Sequence, residues 1–123
     1  MFEQPEDVTA RIQADIARAR DRAAKMGDFR AAVAAVRGKA QSQRRDIEVE
    51  VDVEGDVTVL TITPAAMDRD ARDLSDEVLA LLHRARADAQ RGAADASAAV
   101  LGDDDPAVGA LRARLDAARE AGA

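Results

Sequence analysis

Basic side chains recur along the first quarter of the chain at a spacing that suits contact with a row of phosphates. On a wheel of 100° per residue, four of them fall within a sector of about 60°: Arg11, Arg18, Arg22 and Lys25. Arg44 and Arg45 add an adjacent pair in a segment expected to connect two strands. Guanidinium and ammonium groups neutralise backbone phosphates without regard to base sequence. A charged helix face is also commonly just a solvated face, so both interpretations stay open.

Residues suited to catalysis are scarce. The chain has no Cys and no Tyr, and its single histidine, His83, falls opposite the apolar stripe of a predicted helix. That position favours a solvated side chain over a general base. No Gly-rich phosphate loop and no Cys/His metal spacing occurs, and acidic pairs such as Asp76 and Glu77 are ordinary at the start of a helix. We therefore expect no enzyme, no catalytic residue, no cofactor and no metal.

A row of carboxylates alternates with Ile and Val between Ile47 and Val53. Strict alternation predicts a strand with one buried face. Alternate strand positions lie about 6.5–7 Å apart along one face, too far to converge on a metal ion. We expect a solvated sheet face on which acidic side chains of one strand oppose basic side chains of its neighbour: Glu48, Glu50 and Asp52 against Arg37, Lys39 and Arg45.

The elements that position these residues follow from hydrophobic periodicity. Apolar residues at three- and four-residue steps predict a helix over about 5–33, and a period of two predicts an extended segment over 36–45. The remaining elements are a strand over 47–53, a turn at 54–56, a strand over 57–62, a long helix capped by Asp70 or Asp73, a break at 102–105, and a short helix from Pro106. The fold class is α+β, with helix, three antiparallel strands and helix, plus a short C-terminal helix that looks like an appendage.

The third strand is apolar on both faces. Alternation places Val57 and Val59 on one side and Leu60 and Ile62 on the other. Such a strand needs cover on both faces, and one helical layer from the same chain covers only one. Only 28 of 123 residues are Val, Ile, Leu, Met or Phe, so the core is thin for this length. Both features predict a second chain.

Charge is distributed unevenly within a net charge of -6. Residues 1–45 carry ten basic and six acidic side chains, whereas residues 46–83 carry two basic and eleven acidic ones. The N-terminal third is therefore locally basic and able to meet a polyanion within a Debye length of about 8–10 Å. Apolar runs are too short to span a membrane, and the absence of Cys suits a reducing cytoplasm.

The segment VRGKAQSQRRDIEVEVDVEGDVTVLTITPAAM, residues 36–67, and the following helix LSDEVLALLHRARADA resemble the YbaB/EbfC family of bacterial nucleoid-associated proteins. The likeness rests on the order and spacing of Gly38, the V-x-V-x-V of residues 49–53, Gly55, Pro64 and Met67, and it covers roughly residues 5–95. The chain departs from the family pattern where residues 42–46 replace a Gly-containing turn and Thr63 replaces an Asp. The C-terminal helix has no counterpart.

The resemblance implies an intertwined homodimer whose helices project as arms and bind DNA with little sequence preference. We accordingly expect a YbaB-like domain over 1–101, a linker and helical tail over 102–123, and a cytoplasmic, nucleoid location. The partner would be duplex DNA, bound through phosphates by the basic residues listed at the outset. The alternative is a protein-interaction adaptor on the same fold that does not bind DNA, with a protein partner for its acidic sheet and C-terminal helix.

Overall fold

The computed structural model describes residues 5–121 and confirms the predicted order of elements. They are α1 (Pro5–Ala34), β1 (Arg37–Gln41), β2 (Ile47–Asp52), β3 (Val57–Ile62), a 3-10 helix (Pro64–Asp68), α2 (Ala71–Leu101) and α3 (Pro106–Ala121). Residues 1–4 and 122–123, the outer ends of the two expected domain ranges, lie outside the described residues.

The three strands form an antiparallel sheet in the order β1-β2-β3. The alternation in β2 has the predicted consequence, because Ile47, Val49 and Val51 are almost completely buried. They pack against the apolar stripe of α2, with Leu81 and Ala85 in the same core. α2 lies mainly over β1 and β2, so β3 remains at an uncovered edge.

The extended segment after α1 is shorter than predicted. The expected opposition of charges across β1 and β2 is confirmed for Arg37 and Lys39, which lie opposite Asp52 and Glu50, and is wrong for Arg45. β1 ends at Gln41, because the Ser42 hydroxyl accepts hydrogen bonds from the Asp46 and Ile47 N–H groups and closes a turn. Arg45 therefore leaves the sheet face. Arg37 lies opposite Asp52 but donates instead to the backbone carbonyls of Ala34 and Val36. In this part of the sheet Lys39 alone meets the acidic row, with Nζ 3.7 Å from Glu50 Oε1.

A β-bulge changes the expected facing of β3. The register shifts between Glu50 and Val51, so that Glu50 pairs with Val59 while Val51 pairs with Val57. Simple alternation had placed Val57 and Val59 on one face. The extra residue brings Val57 to the side of the buried Val51, beside Leu60, which pairs with Val49.

The two ends of α2 are set by residues that are typical of helix termini. Asp70 is the N-cap, and its side chain accepts from the Asp73 N–H at 2.8 Å. Gly102, at φ 94°, closes the helix. α3 then packs back on α2, with Val108 fully buried and Arg112 3.2 Å from the Asp103 carboxylate. The tail is thus a docked helix.

Among residues 5–121, no helix is both long and apolar enough to cross a membrane.

Candidate nucleic-acid interface

The N-terminal helix projects from the body as an arm. Every residue from 5 to 28 is exposed, and burial begins only at Phe29, where the root of α1 meets α2. At 1.5 Å per residue this exposed part is about 36 Å long. All four residues of the predicted basic stripe lie on it, at positions 11, 18, 22 and 25.

Ion pairing divides the stripe. Arg18 is paired with Asp15, three residues before it, whereas Arg22 and Lys25 form no ion pair with any described residue. An exposed pair of this kind is worth only about 0–1 kcal/mol, so a phosphate can displace Asp15 at little cost. Arg22 and Lys25 are the members whose charge is available without such an exchange.

An apolar stripe runs along the arm beside the basic one. Val8, Ile12, Ile16 and Met26 are all exposed, Ile12 to 53%. Side chains of this size on one helix face are typical of a surface that packs against another element. No other part of the chain among residues 5–121 covers them.

The second predicted basic site lies on the turn between β1 and β2. Arg44 and Arg45 are both exposed there. Arg45 has φ 59° and is the one non-glycine residue in 5–121 with a positive φ. The arm joins β1 at its other end, so the turn and the arm are separate basic sites. The sequence predicted Arg44 and Arg45 at the connection between the two strands, but it also extended β1 through Arg45 and did not indicate the positive φ there.

A polar network that the sequence analysis missed supports this turn. Arg69 donates from Nη1 to Asp46 Oδ2 at 2.9 Å and from Nη2 to Asp46 Oδ1 at 3.2 Å. Its Nε lies 2.8 Å from Glu77 Oε2, and the Ser42 hydroxyl donates to Asp46 at 2.6 Å. The Arg69 hydrogen bonds, followed by that from Ser42, lower the pKa of Asp46 to about 2. The one available signal was that Arg69 and Arg72 are the only basic residues in the acidic stretch 46–83.

Three carboxylates converge at the turn between β2 and β3. Ligand atoms of Asp52, Glu54 and Asp56 lie within 4.8 Å of one another. Asp52 Oδ1 accepts from the backbone N–H groups of Glu54 and Asp56, each at 3.0 Å. The grouping is therefore accounted for by an Asx-type turn around Gly55, at φ 91°. His83 is exposed on α2, as its sequence position predicted.

The comparison with known proteins agrees with this arrangement. A family model described as the YbaB/EbfC DNA-binding family matches residues 9–104, which include all but the first turn of α1, the whole sheet and α2, and end before α3. No curated protein and no solved structure matches the chain.

Proposed function

The chain belongs to the YbaB/EbfC DNA-binding family, and from this premise we propose that it is a nucleoid-associated homodimer that binds duplex DNA through phosphates. The observation that carries the proposal is the exposed arm of residues 5–28, which presents Arg22 and Lys25 on a helix standing clear of the body. Phosphate contacts supply affinity independent of sequence. The location would be the nucleoid in the cytoplasm.

The homodimer is supported by the apolar surface that one protomer leaves uncovered. Val57 and Leu60 of the edge strand are exposed to 49% and 52%, and the arm exposes Ile12 to a similar extent. An uncovered apolar edge strand invites pairing or packing with another chain. A second copy that covers β3 would also double the number of basic arms.

Weak sequence preference is supported by the residue types at the proposed contacts. The candidate residues are Arg and Lys on the arm and the turn: Arg11, Arg18, Arg22, Lys25, Arg44 and Arg45. None of the six is Asn or Gln, the residue types that pair with adenine edges in the major groove. Only two Phe and no Trp or Tyr occur, which disfavours single-strand recognition by stacking.

The test is a salt-dependent binding measurement on unrelated duplexes. A dimer that neutralises two or three phosphates per chain should show a log–log slope of roughly -4 to -5 with salt. Arg22→Glu combined with Lys25→Glu should weaken binding to all duplexes alike and flatten the slope. The matched control is Arg114→Glu with Arg119→Glu, because these exposed residues of α3 form no ion pair with a described residue, whereas Arg112 is paired with Asp95 and Asp103.

Two results would contradict the proposal. If the α3 control abolished binding while the arm variant bound normally, the interface would be misplaced. If the wild-type protein bound no duplex at low salt, the proposal that it binds DNA would be wrong.

The second candidate, an adaptor that binds a protein, is favoured by the acidic open face of the sheet. Glu48 and Glu50 lie on the side away from α2, where Glu50 forms an ion pair with the exposed Lys39 and accepts a hydrogen bond from the Thr58 hydroxyl. α3, which follows the matched family region, offers a further surface. Absence of DNA binding together with retained dimerisation would favour this function.

A further inference from the structure

A small concave site lies between the β1–β2 turn and α2. Its volume is about 260 Å³, and the charged side chains that line it are Arg44 of the turn, Arg84 of α2, Arg69 and Glu77. Ser42 contributes a polar edge. Arg84 stood outside the basic residues singled out from the sequence, because it follows the acidic stretch of residues 46–83 and lies forty positions from Arg44 in the chain.

The three arginines at this site, Arg44, Arg69 and Arg84, differ in their partners. Arg69 is fully engaged by Asp46 and Glu77. Glu77, the one acidic side chain among the lining residues, is held by Arg69 at 2.8 Å. Arg44 and Arg84 are exposed and have no hydrogen-bond or ion-pair partner among the described residues. Arg69 thus already engages the carboxylates of Asp46 and Glu77, and neither carboxylate pairs with Arg44 or Arg84.

Two unpaired guanidinium groups on one concavity repel each other unless an anion lies between them. A guanidinium offers its N–H donors in a planar fork that matches phosphate oxygens. The groups come from a turn and a helix that the Asp46–Arg69–Glu77 network ties together, so the backbone segments that carry them are held next to each other.

We infer that Arg44 and Arg84 together hold one phosphate group of the DNA backbone at this site. The inference rests on the proposed function for the source of the phosphate, and it adds to the arm a contact on the body of each protomer. The strained backbone at Arg45 fits this role, since a positive φ in a residue other than Gly is retained where the surroundings or the function require it.

The first experiment uses inorganic phosphate as the probe and needs no DNA. In the full-length protein, the side-chain Nε–Hε signals of the arginines are followed by NMR during a phosphate titration. The signals of Arg44 and Arg84 should shift together, with one apparent affinity. Arg72 is the internal control, because it is an exposed residue of α2 without an ion-pair partner among residues 5–121 and does not line the site. A shift of Arg72 equal to that of Arg84 would overturn the inference.

The second experiment compares duplex binding by Arg44→Ala, Arg84→Ala, the double variant and Arg72→Ala. Loss of one phosphate contact should reduce the magnitude of the salt slope by about 0.9 per protomer for Arg84→Ala. The double variant should lose little more than either single one, because the two side chains share a phosphate. Arg72→Ala should keep the wild-type slope.

The outcomes separate this inference from the proposed function. Normal DNA binding with an unchanged slope in Arg84→Ala overturns the inference and leaves the proposed function intact. Paired phosphate shifts in a wild-type protein that binds no duplex overturn the proposed function while supporting the phosphate site. If the double variant loses as much salt slope as the two single variants together, Arg44 and Arg84 do not share one phosphate.

Discussion

Asp46 and Arg69 are joined by two hydrogen bonds, of 2.9 and 3.2 Å, that tie the β1–β2 turn to the segment entering α2. Asp46 is almost fully buried, and its carboxylate also accepts a hydrogen bond from the Ser42 hydroxyl. Arg69 and then Ser42 favour the ionised carboxylate and hold its pKa at about 2, below the ordinary 3.8. The hydrogen bonds to Asp46, together with the charges of Asp46 and Glu77, raise the pKa of Arg69.

This lowered pKa predicts an acid-dependent stability. A carboxyl group whose pKa is lower in the folded state stabilises the fold fully above its unfolded pKa. We therefore expect the contribution of Asp46 to be complete above about pH 4 and to decline as the pH falls toward about 2. Urea unfolding across this range should show that decline in the wild-type protein.

Asp46→Asn is the variant that isolates the effect. It should lower the free energy of unfolding at neutral pH, because Arg69 loses its charged acceptor, and it should flatten the acid-dependent decline. Asp104→Asn, at an exposed position of the α2–α3 connection, is the matched control and should reproduce the wild-type profile. An unchanged profile in Asp46→Asn would show that this ion pair does not control acid stability.

Gly38 gives the second prediction, because α2 crosses β1 directly above it. A Cβ at this position would lie 2.5 Å from the backbone nitrogen of Ala89 and 2.7 Å from its Cβ, and closer still to the carbonyl oxygen of Ala85. Backbone atoms cannot yield as a side chain can. Gly38→Ala should therefore lower the free energy of unfolding by about 3 kcal/mol, at or above the upper end of typical overpacking costs.

Gly27→Ala is the control for this substitution. A Cβ at Gly27, in the middle of the exposed arm, would meet nothing within 4 Å. Alanine is the better helix former by about 0.8–1 kcal/mol, so the arm should gain helical stability. Equal effects of the two substitutions on chemical unfolding would contradict the close packing of β1 against α2.

The sequence was sufficient where a single periodic pattern decides the structure. The stripe from Val8 to Met26 predicted α1, and the alternation from Ile47 predicted β2 and its buried face. The sequence did not predict the structure where a single residue changes the pairing of two strands, or where residues far apart in the chain come into contact. The bulge beside Glu50 and the turn closed by Ser42 are local exceptions to alternation, and the Arg69 network joins positions 23 apart.

Leu60 gives the third prediction, on oligomeric state. It pairs with the buried Val49 yet is 52% exposed, because α2 does not extend over β3. Leu60→Lys should convert the proposed dimer to a monomer, measured by light scattering coupled to gel filtration. Thr61→Lys is the matched control, since this neighbour pairs with Glu48 on the other face of the sheet. A monomeric wild-type protein, or a Leu60→Lys variant that stays dimeric, would contradict the proposed interface.

Deletion of residues 103–123 gives the fourth prediction. From the sequence, this segment is predicted to be an appendage whose deletion leaves the melting temperature nearly unchanged, and the main core of Ile47, Val49 and Leu81 does not include it. The docking of α3 refines that expectation, because Val108 is fully buried. We expect cooperative unfolding to persist with a free energy lower by about 1.5–3 kcal/mol, the usual contribution of one buried side chain of this size. Loss of cooperativity would show that α3 completes the core.

Arg45→Gly should separate stability from binding. A left-handed backbone costs a residue with a Cβ roughly 1–2 kcal/mol, which Gly avoids. Gly also loses more backbone entropy on folding, by roughly 0.5–1 kcal/mol. The free energy of unfolding should therefore stay the same or rise by up to about 1.5 kcal/mol, while affinity for duplex DNA falls with the loss of a positive charge.

Arg44→Gly is the matched control, because Arg44 is the adjacent exposed arginine and has a negative φ. There the entropic cost of Gly is not offset by relieved strain, so stability should fall while DNA binding weakens as well. Chemical unfolding and duplex titration of both variants, at one salt concentration, give the comparison. If Arg45→Gly were as destabilising as Arg44→Gly, the turn would not be strained. If it bound DNA as tightly as the wild-type protein, Arg45 would have no part in the contact.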